Sequence, residues 1–257
     1  MPQTVKIKSR SSAEKKRPGA FAILAALILP LWSLMVQYRF TPESNLPKRG
    51  PFILAPNHYS EIDPLVMGAA VWHLGRLPRF MAKASLFKVP VLGWLLKATG
   101  QISVERTIAG RDTAGNPINQ ATALIERDSG VIVYPEGSLT RDPDLWPMRG
   151  KTGAVRLALE SGIALYPAAH WGTQKLMPRY GKRIYPIPRK KIVVAIGEPI
   201  DLSEFQGKPI DQRIVTAATE KLMQAISELL GQLRGETPPK ERWNPGKKGQ
   251  SETGRFQ

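Results

Sequence analysis

The chain has 257 residues, enough for one catalytic domain with extensions, and 42% of them are apolar, so it can fill a core of its own. It carries 37 Lys and Arg against 21 Asp and Glu, a formal charge of +16, which favours polyanionic partners: nucleic acid, an anionic membrane face or phosphorylated substrates. With no cysteine, a disulfide framework, a thiolate metal site and a cysteine nucleophile are all excluded.

Residues 1–18 are basic, with Lys6, Lys8, Arg10, Lys15, Lys16 and Arg17 against Glu14, and residues 19–36 then contain no charged side chain. As a helix that run would extend about 27 Å, slightly short of the roughly 30 Å core of a bilayer. Pro30 lies inside it and would kink it by removing a helix hydrogen bond. A secretory leader needs a small-residue cleavage site, and Gln37-Tyr38-Arg39-Phe40 offers none. The cations ahead of the run favour a membrane anchor over residues 19–40 rather than a buried soluble helix. It would be one helix or a hairpin dipping into one leaflet, with residues 1–18 held on the cytoplasmic face of the cell membrane.

Beyond it, short β-branched runs alternate with longer amphipathic ones, which predicts an α/β fold, a mixed central sheet flanked by helices. In chain order the pattern predicts a strand over 52–55, a helix over 64–74, a strand over 79–82, a helix over 91–98 and a strand over 102–104. A helix over 117–127, a strand over 131–134, a helix over 150–161, strands over 164–169 and 192–196 and a helix over 210–233 follow. From Arg234 proline, glycine and charge replace aliphatics, so residues 234–257 are expected to form a disordered basic tail.

Ligands of open α/β sheets sit at strand ends. After the first of these strands comes Asn57-His58-Tyr59-Ser60-Glu61-Ile62-Asp63. Histidine suits proton transfer near neutrality, and a carboxylate can fix its tautomer and stabilise the imidazolium. Asp63-Pro64 also reads as a helix start, with aspartate as N-cap; the roles are compatible because the carboxylate has a second oxygen. This is half of a triad without its serine, so the nucleophile would be a substrate hydroxyl activated by His58.

His73 falls in a predicted helix and His170 ends a predicted strand; neither has a carboxylate nearby in sequence, and scattered histidines make no metal pattern. Gly150-Lys151-Thr152 ends like a phosphate-binding P-loop, but Leu145 stands where its first glycine belongs, and Trp146, Pro147 and Met148 leave no amide nest. Lys151 remains a candidate point charge for a phosphate at a helix start. Ser138 lacks the G-x-S-x-G elbow of a hydrolase nucleophile.

Two further blocks stand on strands: GQISVER from Gly100 to Arg106 and YPEGSLT from Tyr134 to Thr140. With NHYSEID before them and Leu165-Tyr166-Pro167 after, four blocks occur in order over residues 57–167. Here the chain resembles the glycerophospholipid acyltransferases of the 1-acylglycerol-3-phosphate acyltransferase (PlsC-like) type, whose blocks read NHxxxxD, GxIxVxR, FPEGTRS and a hydrophobic pair before proline. The resemblance implies an acyltransferase domain over residues 41–233, with His58 as general base and Asp63 as its orienting partner. It implies that Glu136 and Gly137 shape the acceptor site and that Arg106 and Lys83 hold the acceptor phosphate; Ser138 and Lys151 complete the substrate-binding candidates. The family's arginine in the third block falls on Leu139, and the nearest arginine is Arg141, which leaves the acceptor open.

The implied reaction moves a fatty acyl chain from an acyl-CoA or acyl carrier protein thioester to the free hydroxyl of lysophosphatidic acid, giving phosphatidic acid in phospholipid synthesis. No cofactor is expected beyond that co-substrate, and the expected partners are membrane lipids, the thioester donor and the lysophospholipid, with no nucleic acid. The acyl chain would need an apolar groove, for which residues 21–36 and the leucines and Trp94 of 91–96 are candidates. Alternatives are glycerol 3-phosphate, another lysophospholipid or a glycolipid as acceptor, or a non-enzymatic basic protein binding membrane or nucleic acid. Of the charge, +5 lies before Pro18 and +3 from Arg234 onward, which leaves the middle basic as well; with no nucleic-acid-binding signature beside it, phosphate chemistry accounts for it better.

Overall fold

A computed structural model describes residues 3–6, 11–16, 18–104 and 117–251. Helices α1 (Ala13–Lys16) and α2 (Ala20–Met35) lead into strand β1 (Val36–Phe40); β2 (Phe52–Pro56) is followed by α3 (Asp63–His73), β3 (Met81–Lys83), α4 (Leu92–Ala98) and β4 (Ile102–Val104). Then come α5 (Pro117–Glu126), β5 (Gly130–Ile132), α6 (Gly153–Ser161), β6 (Leu165–Trp171), β7 (Lys190–Ile196) and α7 (Gln212–Arg234).

Five strands form a sheet in the order β1-β7-β6-β2-β5, and β3 and β4 form a two-stranded parallel sheet. The two are joined where Phe80 bridges Ile132 and the Ile132 N–H donates to the Arg79 carbonyl at 2.7 Å. In the larger sheet β6 and β7 run antiparallel and the remaining pairs parallel, so the sheet is mixed, as expected.

The apolar run of β2 is buried along its whole length because both sheet faces are covered. Phe52 and Leu54 face a core with Val66, Met67 and Ala70 of α3, whereas Ile53 and Ala55 face Val155 of α6 and Leu222 and Ile226 of α7. Helix α7 starts where the Asp211 carboxylate accepts the Ile214 N–H at 2.8 Å and stops at Gly235, which is left-handed at φ 71°.

The antiparallel pair sets which strand ends meet. Trp171, at the end of β6, lies opposite Val193 near the start of β7, while Pro56 at the end of β2 lies beside Ala168 of β6. Since β1 runs parallel to β7, the beginnings of β1 and β7 share one end of the sheet with the ends of β2 and β6.

Two expectations at the chain ends are corrected, the far bound of the anchor and the disordered tail. Residues 36–40 form an edge strand rather than the end of an anchor; Val36, Gln37 and the rest pair with 190–194 of β7, a partner far away in sequence. No helix among the described residues is long and apolar enough to cross a membrane. Helix α2 buries Phe21 and Trp32 and exposes Ile23, Leu27, Leu31 and Leu34. The Trp32 indole donates to the Tyr38 hydroxyl at 3.0 Å, which donates to the Val66 carbonyl at 2.9 Å, and these bonds hold the helix end to the domain.

The N-terminal segment is clasped by its acid. Glu14 accepts from Arg76 Nε at 2.6 Å and Arg79 Nη1 at 2.7 Å. Past Arg234 the chain is docked as far as Ser251 rather than disordered: the Trp243 carbonyl accepts the Arg149 N–H at 2.9 Å, and the Ser251 carbonyl accepts from Arg141 at 3.1 Å. Backbone carbonyls and a tryptophan suffice for docking where aliphatics are scarce.

Candidate active site

Proline has no N–H, so Pro56 cannot continue the ladder of β2, and the amide of Asn57 takes over the pairing. Its Oδ1 accepts the His170 N–H at 2.9 Å and its Nδ2 donates to the His170 carbonyl at 3.3 Å. The chain then turns back over the strand ends, and Asp63 closes the loop: its Oδ2 accepts the N–H groups of Tyr59 and Ser60, each at 2.7 Å, and lies 3.0 Å from His58 Nδ1.

Asp63 is therefore not the N-cap that its position suggests. Ile62 holds that place with no side-chain cap bond, and Asp63 is the first helical residue, where the helix dipole favours a carboxylate. The carboxylate is fully buried while the His58 side chain keeps 16% of its exposure, so the acid is inside and the base at the surface. With Nδ1 donating to the carboxylate, the tautomer assigned by this geometry carries its lone pair on Nε2.

The imidazole stacks on Tyr134 with ring centroids 4.1 Å apart. The Tyr134 hydroxyl is buried without a hydrogen-bond partner among the described residues, and burial pushes its pKa up, so it forms a neutral wall under the ring. The His58 backbone is pinned too: its N–H donates to Glu136 Oε1 at 2.9 Å and its carbonyl accepts the Thr140 N–H at 2.7 Å. Glu136 Oε2 accepts the Met148 N–H at 3.0 Å. The Glu136 carboxyl is wholly buried, and burial pushes it up to about 8. It ties the His58 loop to Met148 through their amides.

Gly137 is left-handed at φ +70°, and a Cβ there would lie 2.9 Å from Lys151 Cδ and 3.3 Å from its Nζ. The left-handed backbone favours glycine here, whereas the flexible end of Lys151 could move aside from a Cβ. The exposed Lys151 crosses the third block, its own N–H donating to the Pro135 carbonyl at 2.7 Å; Ser138 is half-buried on the same turn. Lys83 stands on β3 in register with Val104 of β4, and Arg106 lies outside the described residues. Arg141 is turned elsewhere, buried against the Tyr180 hydroxyl and the Ser251 carbonyl.

His170 is the residue that sequence reasoning passed over. It is fully buried, with Nε2 at 3.2 Å from the Asn57 carbonyl and 3.6 Å from Asp63 Oδ1. Nδ1 faces the hydroxyls of Tyr59 at 3.2 Å and Thr173 at 3.1 Å. Burial pushes its pKa down, so it is neutral, with its proton on Nε2 toward the carbonyl and carboxylate. The signal lies in topology: β6 neighbours β2, so their ends stand side by side. Among the described residues no cluster of three or more His, Asp or Glu could hold a metal ion. What the arrangement offers is a base whose imidazolium form a buried carboxylate would stabilise.

The model of the Acyltransferase family matches residues 37–171, from β1 to the end of β6. A 1-acyl-sn-glycerol-3-phosphate acyltransferase of Streptococcus pneumoniae is 26% identical over 84% of this chain and 76% of its own length. A chloroplast 1-acyl-sn-glycerol-3-phosphate acyltransferase of Brassica napus is 27% identical over 59% of this chain. The matched region spans about half the length of several such relatives, 43% of the Brassica protein. The crystal structure of the 1-acyl-sn-glycerophosphate acyltransferase PlsC from Thermotoga maritima superposes with a TM-score of 0.55 at 21% identity, covering 87% of this chain and 80% of that one, and so shares the fold.

Proposed function

The chain belongs to the Acyltransferase family, and on that footing we propose that it is an O-acyltransferase moving a fatty acyl chain from an acyl-CoA or acyl carrier protein thioester to the hydroxyl of lysophosphatidic acid, giving phosphatidic acid. The observation that carries this reading is the 3.0 Å contact of His58 Nδ1 with buried Asp63. It leaves Nε2 to take the proton of a substrate hydroxyl. As the proton moves, the oxygen attacks the thioester carbonyl, the C–S bond breaks, and the imidazolium returns its proton to the thiolate. Asp63 stabilises the imidazolium between those steps, so no acyl-enzyme is needed.

Lys151, Lys83 and Arg106 are the proposed cations for the acceptor phosphate, and Lys151 lies against Gly137 of the third block. The exposed apolar face of α2, behind a basic N-terminal segment, supports association with the cytoplasmic face of the membrane, where such an acceptor resides. Leu139 at the family's arginine position, with Arg141 buried elsewhere, favours a second acceptor reading: glycerol 3-phosphate, another lysophospholipid or a glycolipid.

Purified protein with labelled acyl-CoA or acyl carrier protein, assayed over a panel of hydroxyl acceptors, tests both. The expected result is the highest kcat/KM with lysophosphatidic acid. Equal use of phosphate-free acceptors would reassign the acceptor class, and transfer to none would overturn the acyltransferase reading.

A further inference from the structure

We propose that the loop over 182–189 is a second membrane-contacting element, which lays the His58 end of the sheet on an anionic bilayer; the proposal rests on the reading of the protein as an enzyme of membrane lipids. Between Pro178 and Gly197 the chain has no Asp or Glu, and Lys182, Arg183, Arg189, Lys190 and Lys191 are clustered there. The same loop exposes Ile184, Tyr185 and Ile187, the last at 86% of its free surface. Apolar and aromatic tips among unopposed cations match an anionic interface: the cations meet the headgroups, and the tips enter the acyl boundary.

The loop is fixed in place relative to the base. The Tyr185 N–H donates to the carbonyl of buried Leu176 at 2.8 Å. Ser60 and Glu61 of the His58 loop hold its beginning, Ser60 Oγ donating to the Met177 carbonyl at 2.7 Å and Glu61 accepting the Tyr180 N–H at 3.2 Å. Its far end is tied to the end of α2, where Arg189 donates to the Val36 carbonyl at 3.0 and 3.2 Å. Leu31 and Leu34 on the adjacent turns of α2 are 63% and 72% exposed. Since β1 and β7 begin where β2 and β6 end, this apolar surface, the loop and His58 share one end of the sheet. An acidic protein would match the cations but not the uncharged flank of α2, so the bilayer is the partner of choice.

The chain has no cysteine, so Ile187→Cys accepts a single environment-sensitive fluorophore. Lys208→Cys, in the loop beyond the opposite end of β7, serves as control. With the full chain and vesicles of phosphatidylcholine containing phosphatidylglycerol, the label at 187 should shift to the blue, brighten and be quenched by nitroxide-bearing lipid, while the label at 208 stays in water. Lys182→Glu with Arg183→Glu should weaken binding to these vesicles by about tenfold or more, with circular dichroism, melting and turnover of a short soluble acceptor unchanged. If the labelled protein sediments with the vesicles while the label at 187 stays in water, the proposal is wrong and the membrane reading survives. If the protein sediments with no vesicle, both are wrong, and acyl transfer to the soluble acceptor still decides the activity separately.

Discussion

Asp63, fully buried, and Glu14, half-buried, are both carboxylates set between two basic side chains. Glu14 takes Arg76 Nε at 2.6 Å, Arg79 Nη1 at 2.7 Å and the Leu77 N–H at 3.1 Å. Asp63 takes His58 Nδ1 at 3.0 Å and two backbone N–H groups, with His170 Nε2 at 3.6 Å. The geometry is similar and the partners differ: guanidinium keeps its proton in a protein, so Glu14 can only hold, whereas imidazole exchanges its proton near neutrality. One fork fastens α1 to the segment after α3, and the other prepares a base.

The comparison breaks first at His58. Since its side chain is partly exposed and its backbone carries the loop bonds, His58→Ala should leave the fold intact while the rate of transfer falls by about 10² to 10⁴. Steady-state kinetics beside a thermal melt check this. Wild-type turnover in a folded variant would sink the proposed mechanism.

Glu14→Ala asks the complementary question. It strands two buried arginines, so stability should fall by about 3–5 kcal/mol, less whatever Arg76 recovers from the Gly50 and Asp128 carbonyls. Denaturant unfolding measures the loss, and kcat per folded molecule should not move. A drop in kcat without loss of stability would mean that this fork, too, serves chemistry.

A third carboxyl sharpens the contrast by pH. Among the described residues Glu136 is held by the amides of His58 and Met148 and by the Thr140 side chain rather than by a cation, and burial raises it to about 8 from an ordinary 4.5. The protonated form is thus favoured in the folded state, so its contribution to stability is full below about 4.5 and is lost as pH rises toward about 8. Glu136→Gln removes that dependence. Across this interval the Tm of the wild type should fall relative to the variant by several degrees, at about 2–4 °C per kcal/mol for a chain of this size. A Tm difference independent of pH would show that the carboxyl does not titrate there.

How much of this was legible in the sequence follows from how local each feature is. The strand-loop-helix unit around His58 and Asp63 was, because acid and base are five positions apart and Pro56 and Pro64 punctuate it. The helix of 23 residues at 212–234 was also legible from its apolar spacing, amphipathic over its length. Strand β1 was not: Val36-Gln37-Tyr38-Arg39-Phe40 follows an apolar helix without a turn signal, and only pairing with β7 makes it a strand. Glu14 looked like one acid among many bases until Arg76 and Arg79 closed on it. His170 reads as an unpartnered histidine because Asn57, Tyr59 and Asp63 reach it only across the β2–β6 pair.

His170 gives the smallest effect and the finest test of the Asp63 fork. Being neutral, it cannot share the role of a charged partner as Arg76 and Arg79 do. It contributes an N–H dipole toward Asp63 Oδ1, an oxygen with no hydrogen bond among the described residues, and it holds the carbonyl of Asn57. Removing that dipole concentrates the negative charge of Asp63 on His58 and should stabilise its imidazolium. His170→Leu should therefore lower kcat/KM by about tenfold, the worth of one hydrogen bond, and move the acid limb of its pH profile to higher pH. His170→Gln keeps an N–H donor and should restore both. A residue that only fills space would shift Tm and leave the limb where it is. An unmoved pH profile in the leucine variant would leave Asp63 serving His58 alone.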